Sequence, residues 1–565
     1  MRPALTLLAA VCLGGCGGSD PPPTGPISYQ VLHYDYAFDL ESRAAGASLT
    51  LLVGAGGGDC IDIPLRAGDL ADIFLDGEQV GGTLRDGVLH VCGAGWEEGT
   101  EIELRASVVV AEETWANGIE TSQVGYSVTP DLEGNPFRYL VSWVGGCDRF
   151  GPCDNAPDRF ATYRFTVAHP AGTRVLCPGA ITQGTTETVC AFDHAGGPTY
   201  STFGLAAGDS WTVNDLGDWG GVHATFHDTP SSGVFAQFER DRHAGFLFWM
   251  ESLFGPYPYG DELRFVTGPT HWSGFEHPGN IVLNDRLGIG ISAYTDAVGH
   301  VTDHEIVHMW AGDQSTLATT HDFVWKEAMA EYLTFVFETE RVSASEGRAT
   351  ALAWKRFARN AAWWPVPGEQ PPLLDYYGDV YGPGPMILFR QLEVLFSREA
   401  VLAALQDLWG APRAFGVADV QAALEVATGA DLDGYFDAWV YGEGEPDWPT
   451  FTVAVDGVSP GPVDVTVTPT AGSEPFGCAF TVVLTGDAAE THAVRIDRGI
   501  DGGGATVVNT TPGFAVTGHT FDPEGECLAT EVPAAAAASP PAPAPGSRRA
   551  LPAHLRNPWL AADPR

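Results

Sequence analysis

The spacing of apolar and polar residues first indicates a β-rich stretch. Over residues 28–228, short runs that alternate apolar and polar positions are separated by glycine-rich turns, the pattern of strands with one buried face. Such runs occur at 48–53, 103–110 and 162–167. We predict a β-rich amino-terminal domain over residues 28–228.

A helical pattern follows this stretch. Apolar residues recur at helical spacing over 235–254, and Gly255 and Pro256 then form a stop signal. Helical patterns continue from there towards residue 447. We therefore predict a second domain, rich in helices, over residues 229–447.

Strand-like alternation returns near the carboxyl end. The runs 451–455 and 480–484 predict a small β-sandwich over residues 448–531. Residues 532–565 are rich in proline and alanine and then contain arginines, which predicts a linker followed by a disordered tail.

The first residues have the composition of a targeting signal. Arg2 precedes an apolar run of nine residues, shorter than the ~20 residues needed to cross a bilayer. The run ends in LGGC, which resembles a bacterial lipobox, so we expect a lipoprotein signal peptide over residues 1–15 and lipidation of Cys16. Residues 16–27 then form a tether that anchors the protein to the bacterial cell envelope, at the outer membrane or in the periplasm. The alternative is an ordinary secretory signal cleaved nearby.

Composition changes this picture by excluding one class of partner. The chain has 565 residues with 44% hydrophobic and 18% charged, which fits folded material. Its 29 basic and 72 acidic residues give a net charge of −43, so a basic face for nucleic acid is not expected. Lys326 and Lys355 are the two lysines of the chain.

The cysteines support export to an oxidising compartment. Without Cys12 in the signal and the lipidated Cys16, eight of the ten cysteines remain, an even number that suits disulfides. Proximity in the sequence suggests the pairs Cys60/Cys92, Cys147/Cys153, Cys177/Cys190 and Cys478/Cys527.

The run HEIVH over residues 304–308 is the strongest chemical signal. On a helix, His304 and His308 lie one turn apart on the same face, so both imidazoles can reach one metal ion. Glu305 can act as general base on a metal-bound water. A helix is plausible because Thr302 or Asp303 can begin it and Gly312 can end it.

A catalytic zinc site needs a third protein ligand. A second helix that begins near Asp322 carries Glu327 and Glu331, four residues apart and able to point the same way. Either glutamate completes the His₂Glu set of hydrolytic zinc enzymes, and residue chemistry alone does not choose between them.

The complete pattern resembles the aminopeptidase N family of zinc metallopeptidases, gluzincins related to leukotriene hydrolase. The family reads HExxHxW, then 18 residues, then a glutamate within WxxEGxAxY; here HEIVHMW is followed at that spacing by Glu327 within WKEAMAEY. Trp325 and Tyr332 match the flanking positions. The resemblance implies one Zn²⁺ per chain and these roles: ligands His304, His308 and Glu327, and base Glu305.

Three positions near the implied ligands depart from the family pattern. Asp313 follows Gly312, and Lys326 precedes Glu327, where the family has asparagine. Ala328 also replaces a glycine. These changes leave the implied ligands intact.

A further likeness implies how the substrate is held. The run WSGFEHPG, 28 residues before His304 at its glutamate, resembles the family's Gly-x-Met-Glu-Asn strand. Glu276 then corresponds to the glutamate that binds the free α-amino group, and Gly274 to the first residue of the motif. Phe275 and His277 depart from the family pattern.

Tyr381 begins the run YGPG, which resembles the family's Tyr-x-Lys-Gly. The resemblance implies that its hydroxyl stabilises the oxyanion. Tyr376 and Tyr377 are nearby competitors for this role. The family also has a second glutamate or glutamine at the amine pocket, whereas residues 142–147 here read SWVGGC and offer neither.

The likeness extends over about residues 30–530, and implies a saddle-like β domain, a thermolysin-like α+β catalytic domain and a carboxy-terminal β-sandwich. The expected function is that of a zinc metallopeptidase, foremost an aminopeptidase acting on peptides. The alternatives are a zinc endopeptidase or other hydrolase on this scaffold, and a non-catalytic surface-binding lipoprotein.

Overall fold

A computed structural model describes residues 24–112, 124–289, 294, 296–373, 376–377, 386–409, 412–458 and 460–533. The predicted signal peptide, Cys16, Tyr381 and nearly all of the predicted tail lie outside the described residues. Within them the chain is a multidomain, β-rich protein of several sheets and a group of helices, as the sequence predicts.

The amino-terminal region consists of strands that bury alternate residues. In the second strand the buried positions run Ala45, Ala47, Leu49, Leu51, Val53, which is the period of a strand with one face in the core. The strands are β1 (Tyr29–Asp39), β2 (Ala44–Val53), β3 (Gly58–Pro64), β4 (Leu70–Leu75), β5 (Glu78–Gln79), β6 (Gly82–Arg85), β7 (Val88–Trp96), β8 (Glu101–Val109), β9 (Gly125–Pro130), β10 (Pro136–Val141), β11 (Phe160–Ala168), β12 (Arg174–Leu176), β13 (Ala180–Gln183), β14 (Glu187–Pro198) and β15 (Gly204–Gly208).

These strands form three sheets. An eight-stranded sheet has the order β13-β14-β11-β1-β2-β8-β4-β5, a four-stranded sheet the order β12-β15-β10-β9, and a three-stranded sheet the order β3-β7-β6. The three runs predicted from the sequence fall in β2, β8 and β11, so the prediction of a β-rich region is confirmed.

A five-stranded sheet leads into the helical region. Its strands are β16 (Thr212–Trp219), β17 (Val222–Asp228), β18 (Glu262–Gly268), β19 (Gly274–His277) and β20 (Asn280–Asn284). The order is β16-β17-β18-β20-β19, with β19 antiparallel to β20 at the edge of the sheet. An edge strand keeps one row of backbone groups unpaired within the sheet.

The helices of the described residues lie mainly after this point. They are α1 (Thr199–Thr202), α2 (Arg240–Phe254), α3 (Ala297–Val307), α4 (Phe323–Phe337), α5 (Ala344–Ala358), α6 (Met386–Leu395), α7 (Arg398–Trp409), α8 (Val417–Thr428) and α9 (Asp433–Trp439). Single 3₁₀ turns occur at Cys147–Arg149, Phe235–Gln237, Leu287–Ile289 and Thr320–Asp322, and a π-helical turn at Glu338–Val342.

Two helix starts differ from the sequence prediction. Helix α3 begins at Ala297, earlier than Thr302 or Asp303, because the Asp296 side chain caps it by accepting from Gly299 N at 3.0 Å. Helix α2 begins at Arg240, and the apolar residues before it form a 3₁₀ turn. Its end at Phe254 is as predicted.

The carboxy-terminal strands pair into two small sheets. These strands are β25 (Thr450–Gly457), β26 (Val463–Pro469), β27 (Ala479–Gly486), β28 (Thr491–Asp497), β29 (Thr506–Thr510), β30 (Val516–Phe521) and β31 (Thr530–Glu531). Short strands lie before them, among the helices: β21 (Ser315–Leu317), β22 (Val366–Pro367), β23 (Arg413–Phe415) and β24 (Tyr441–Gly442). Sheet orders are β29-β26-β25-β31 and β28-β27-β30. Lys355 of α5 contacts this region through an ion pair of 2.6 Å with Asp522.

Disulfides fasten the β-regions. The four bonds are Cys60–Cys92, Cys147–Cys153, Cys177–Cys190 and Cys478–Cys527, the same pairs that proximity in the sequence suggests. Among the described residues, no helix combines the length and apolar character needed to cross a membrane.

Candidate metal centre

Helix α3 and the turn after it present two imidazoles to one point. His304 lies in the last turn of α3, and His308 is the residue that caps its carboxyl end. The two rings are 3% and 1% exposed, and their Nε2 atoms are 3.0 Å apart. The spacing of four residues therefore places both nitrogens at the same point, as predicted for a helix.

Helix α4 supplies the carboxylate. Glu327 Oε2 lies 3.0 Å from His304 Nε2 and 3.3 Å from His308 Nε2. Glu331 instead faces the other side of His304, with Oε1 3.3 Å from Nδ1. The choice that residue chemistry left open is thus made by geometry, because only Glu327 of these two meets both Nε2 atoms in the described structure.

The donor set fits a zinc ion. The separations of 3.0, 3.0 and 3.3 Å compare with about 3.4 Å between the donors of a tetrahedral site with bonds near 2.1 Å. His308 Nδ1 donates to the carbonyl oxygen of Ala311 at 2.9 Å, so its Nε2 carries the lone pair of the neutral ring. Lone pairs that converge in this way repel each other unless a cation lies between them.

The surrounding charges favour a cation at this point. Burial opposes it, but Glu327 and Glu331 raise the pKa of His304 to about 10. Against burial, Lys326 and His308 together with hydrogen bonds from both histidines lower the pKa of Glu327 well below its usual value. Glu327 is therefore ionised, the state in which a carboxylate binds a metal ion.

Glu305 is a buried carboxylate beside this centre. Burial, then Glu276 and Glu327, raise its pKa well above the usual value, although His304 lowers it. Among the described residues its Oε2 has no hydrogen-bond partner. A carboxylate with a raised pKa and an unused oxygen is suited to accept a proton.

Gly274 leaves room for Glu305. A Cβ at this position would contact Glu305 Oε1 and lie 2.6 Å from its Cδ. Strand β19 therefore passes directly over the base because its first residue has no side chain. The role that the structure gives Gly274 is steric, and sequence reasoning did not foresee this contact.

The carboxylate of Glu276 on β19 is paired with a lysine beside the centre. Its carboxylate contacts Nζ of Lys326, which also lies 2.9 Å from Glu327 Oε1. Lys326 is 1% exposed. Burial opposes it, but Glu276 and Glu327 raise the pKa of Lys326 above its usual value. The departure from the family pattern at residue 326 thus places a buried ammonium between the implied amine anchor and a metal ligand.

A second layer of polar residues lies behind His304. His300 connects Glu331 and Glu338, with Nε2 3.0 Å from Glu331 Oε2 and Nδ1 2.9 Å from Glu338 Oε1. Trp354 Nε1 also donates to Glu331 Oε2 at 3.1 Å. Partners of this kind orient a metal-bound imidazole. Sequence reasoning did not identify this layer, whose residues come from α3, α4, the π-helical turn and α5.

Of the three tyrosines considered for the oxyanion, Tyr381 lies outside the described residues and its role stays a prediction. The hydroxyl of Tyr376 donates to the carbonyl oxygen of Pro365. Burial raises the pKa of Tyr377, and Glu327, Glu276 and Glu305 add to the effect. Of the two described tyrosines, Tyr377 is therefore the one whose pKa is raised by the carboxylates of the centre.

The segment without a second amine-binding residue contributes an aromatic ring instead. Trp143 adopts φ +47° and is 3% exposed, and its ring centroid lies 5.2 Å from that of Tyr377. Trp272 packs 6.5 Å from the same indole. Ser142 donates to the carbonyl oxygens of Thr199 and Tyr200, both at 2.7 Å. This part of the site is therefore lined by packed aromatic side chains.

The donor set is that of a candidate metal centre, and the chain resembles known proteins in sequence and in fold. Aminopeptidase N of Streptomyces lividans is 25% identical over 321 residues, an alignment that covers 50% of this chain. The chain spans 35% of the length of that relative. No family model matches the chain.

Solved structures show the same fold. Aminopeptidase A of Legionella pneumophila, in complex with aspartic acid, has a TM-score of 0.67 at 14% identity, over 90% of this chain and 60% of that one. The M1 zinc metallopeptidase of Deinococcus radiodurans has a TM-score of 0.61 at 18% identity, over 74% of this chain and 95% of that one. The predicted resemblance to the aminopeptidase N family is confirmed.

Proposed function

We propose that the chain is a zinc-dependent peptidase that removes residues from the amino end of peptides. The observation that carries this proposal is the convergence of His304 Nε2, His308 Nε2 and Glu327 Oε2 within 3.3 Å of each other, with Glu305 alongside. The similarity to aminopeptidase N gives the substrate class.

The proposed chemistry divides between the ion and the chain. When bound, zinc supplies a Lewis acid and a water molecule of lowered pKa. Glu305 accepts the proton of the attacking water at its unpartnered Oε2 and later donates it to the nitrogen of the leaving group. Tyr381 remains the proposed donor to the oxyanion.

Strand β19 is proposed to hold the substrate backbone. Its place at the edge of the five-stranded sheet allows an extended peptide to pair with it, as in other strand-addition complexes. Pairing along β19 brings the amino end of the peptide to Glu276 and the adjoining peptide bond to Glu305, which touches Gly274. The position of Glu276 thus determines which bond is cleaved.

The finer organisation is part of the same proposal. We assign residues 28–228 to a saddle-like β domain, 229–447 to a thermolysin-like catalytic domain and 448–531 to a β-sandwich, with one zinc ion per chain. Export fits the even set of disulfides, because such bonds persist in oxidising compartments. Lipidation at Cys16 is proposed from the LGGC run that ends there. Loss of membrane association in Cys16→Ser, with the protein still exported, tests the anchor.

Metal removal tests the function directly. Purified protein is assayed on a panel of aminoacyl fluorogenic substrates before chelation, after chelation and after addition of Zn²⁺. We expect hydrolysis to be lost and then restored, and elemental analysis to find one zinc ion per active chain. Hydrolysis that survives complete removal of metal, or folded protein that neither holds zinc nor cleaves any substrate, contradicts the proposal.

A further inference from the structure

Lys326 lies in a site built around one ammonium group. Its side chain is 1% exposed, and Nζ contacts Glu276 Oε1 and lies 2.9 Å from Glu327 Oε1. The ring centroid of Tyr200 is 5.5 Å from the same nitrogen. Two carboxylates and an aromatic ring therefore hold the cation in place.

The stem of Lys326 is fixed as well. Gly312, with φ +136°, passes so close that a Cβ there would lie 2.7 Å from Lys326 Cδ. The next residue, Asp313, is fully buried, and its Oδ1 accepts from the hydroxyl of Ser201 at 2.5 Å. Lys326 thus packs against the residue that precedes Asp313, the other polar departure from the aminopeptidase N pattern.

This ammonium occupies the place that the proposed function reserves for the substrate. Glu276 is the carboxylate proposed to bind the α-ammonium of a peptide, and the inference rests on that proposal. A second cation on Glu276 comes within about 4–5 Å of Lys326 Nζ, because both share one carboxylate. At an effective dielectric constant of about 20, repulsion at this distance lowers affinity on the order of 10²-fold. An acylated amine carries no charge and avoids the repulsion.

We propose that Lys326 determines specificity by holding the amine anchor, so that the site accepts amino-terminal residues whose nitrogen is an amide as well as those whose nitrogen is free. The class of substrate is then a peptide with an acylated amino end. Lys326 acts here as a substitute for the substrate's own charge.

The test compares matched substrates on the zinc-loaded full chain. The ratio of kcat/KM for alanyl p-nitroanilide to that for N-acetylalanyl p-nitroanilide is expected to be below about 10 in the wild type. Lys326→Asn is expected to raise this ratio about 10²-fold, because Glu276 then becomes available to an α-ammonium. A rise of less than about tenfold overturns the proposal.

Other variants separate charge from folding. Lys326→Met keeps the length of the side chain and is expected to raise the ratio, whereas Lys326→Arg keeps the charge and is expected to leave it unchanged. Lys355→Met removes the other lysine, which pairs with Asp522, and leaves the ratio at the wild-type value. If no Lys326 variant folds, the wild type decides: a ratio below about 10 supports the proposal, and a higher ratio overturns it.

Binding separates this inference from the proposed function. In zinc-loaded Glu305→Gln, calorimetry with alanine amide and N-acetylalanine amide measures the same preference without turnover. Binding of both ligands within about tenfold of each other, with no hydrolysis by the wild type, contradicts the function and keeps the inference. Strong selection for the free amine that Lys326→Asn does not change, with zinc-dependent hydrolysis intact, overturns the inference and keeps the function. Failure to bind either ligand overturns both.

Discussion

The two halves of the site follow different rules. In the metal half, His304, His308 and Glu327 converge with the spacing of a His₂Glu set, and a polar layer supports them from behind. In the amine half, Glu276 already pairs with Lys326, a cation of the chain itself. The metal half matches the family pattern, whereas the amine half departs from it at Lys326.

The difference teaches where such a scaffold tolerates change. A metal ion demands a fixed number of donors at fixed distances, so the metal half has few alternatives. Amine binding at Glu276, as proposed, depends on charge, and a charge can come from the chain as well as from the substrate. We therefore expect substitutions at the second half to change what is bound, and those at the first to change whether chemistry occurs.

The largest expected effect is that of removing the proposed base, Glu305, which lies beside the metal half and against Gly274 of β19. Glu305→Gln is expected to lower kcat by about 10³-fold or more while zinc content stays at the wild-type level, because the amide cannot accept the proton. Turnover and elemental analysis on the same preparation measure both. Glu97→Gln, at an exposed position, is the matched control. Wild-type kcat in Glu305→Gln would refute the assignment.

The second largest effect is expected from a substitution on β19 that crowds the Glu305 carboxylate. In Gly274→Ala the new Cβ would lie 2.6 Å from Glu305 Cδ, so the carboxylate must move. We expect a loss of about 10²-fold in kcat with zinc retained, the size that a displacement of about 1 Å produces. Gly46→Ala, where a Cβ meets no atom within 4 Å, is the control. An equal change in both variants would dissociate Gly274 from the base.

The third prediction concerns Glu331, the carboxylate that supports His304 in the metal half. Glu331→Gln removes the charge that faces His304 Nδ1 at 3.3 Å. We expect zinc affinity to fall about 10- to 100-fold and the preference between free and acylated substrates to stay the same. Competition with a chelator gives the affinity, and Glu340→Gln at an exposed position is the control. A shifted substrate preference at unchanged affinity would contradict this division of roles.

The last expected effect, on stability and not on activity, concerns pH and the anchoring of β19. Burial lowers the pKa of His277 to about 4, although the Ser201 carbonyl and Glu276 oppose it. In the folded chain its Nδ1 donates to that carbonyl at 2.5 Å and its Nε2 accepts from the Tyr139 hydroxyl at 2.9 Å. The bond from Tyr139 requires the neutral ring, because a protonated imidazole has no nitrogen left to accept a hydrogen bond.

The sign of the pH effect follows from the lowered pKa. Above about pH 6.5 the ring is neutral in both states and its contribution is complete; as pH falls towards 4 the unfolded state takes up the proton first, at a cost of up to about 3 kcal/mol. We expect the Tm of wild type to fall over this interval more than that of His277→Gln, with the exposed His223→Gln as control. Parallel Tm profiles for all three proteins would show that folding does not lower the pKa of His277.

Residues close in the sequence were the ones that the sequence could place. The spacing of His304 and His308 and the position of Glu327 on the next helix follow from helical geometry, and the β-runs follow from alternation. The start of α3 could not be placed, because Asp296 caps the helix before the apolar pattern begins. Local propensity there is decided by one side chain.

Contacts between distant residues carried no such signal. Lys326 and Glu276 are 50 residues apart, and their pairing arises only when β19 and α4 pack around α3. The sequence showed an unusual lysine at position 326, but not its partner. The same holds for His300, whose two carboxylate partners lie on and just after α4.

Both lysines of this chain lie in buried ion pairs, and this makes lysine-specific proteolysis a map of local opening. A protease that cuts after lysine has no accessible site at either position in the folded state, since the two side chains are 1% and 12% exposed. A cut after Lys326 requires the site to unfold, and a cut after Lys355 requires α5 to separate from Asp522. The order in which the two cuts occur reveals which of these regions opens first.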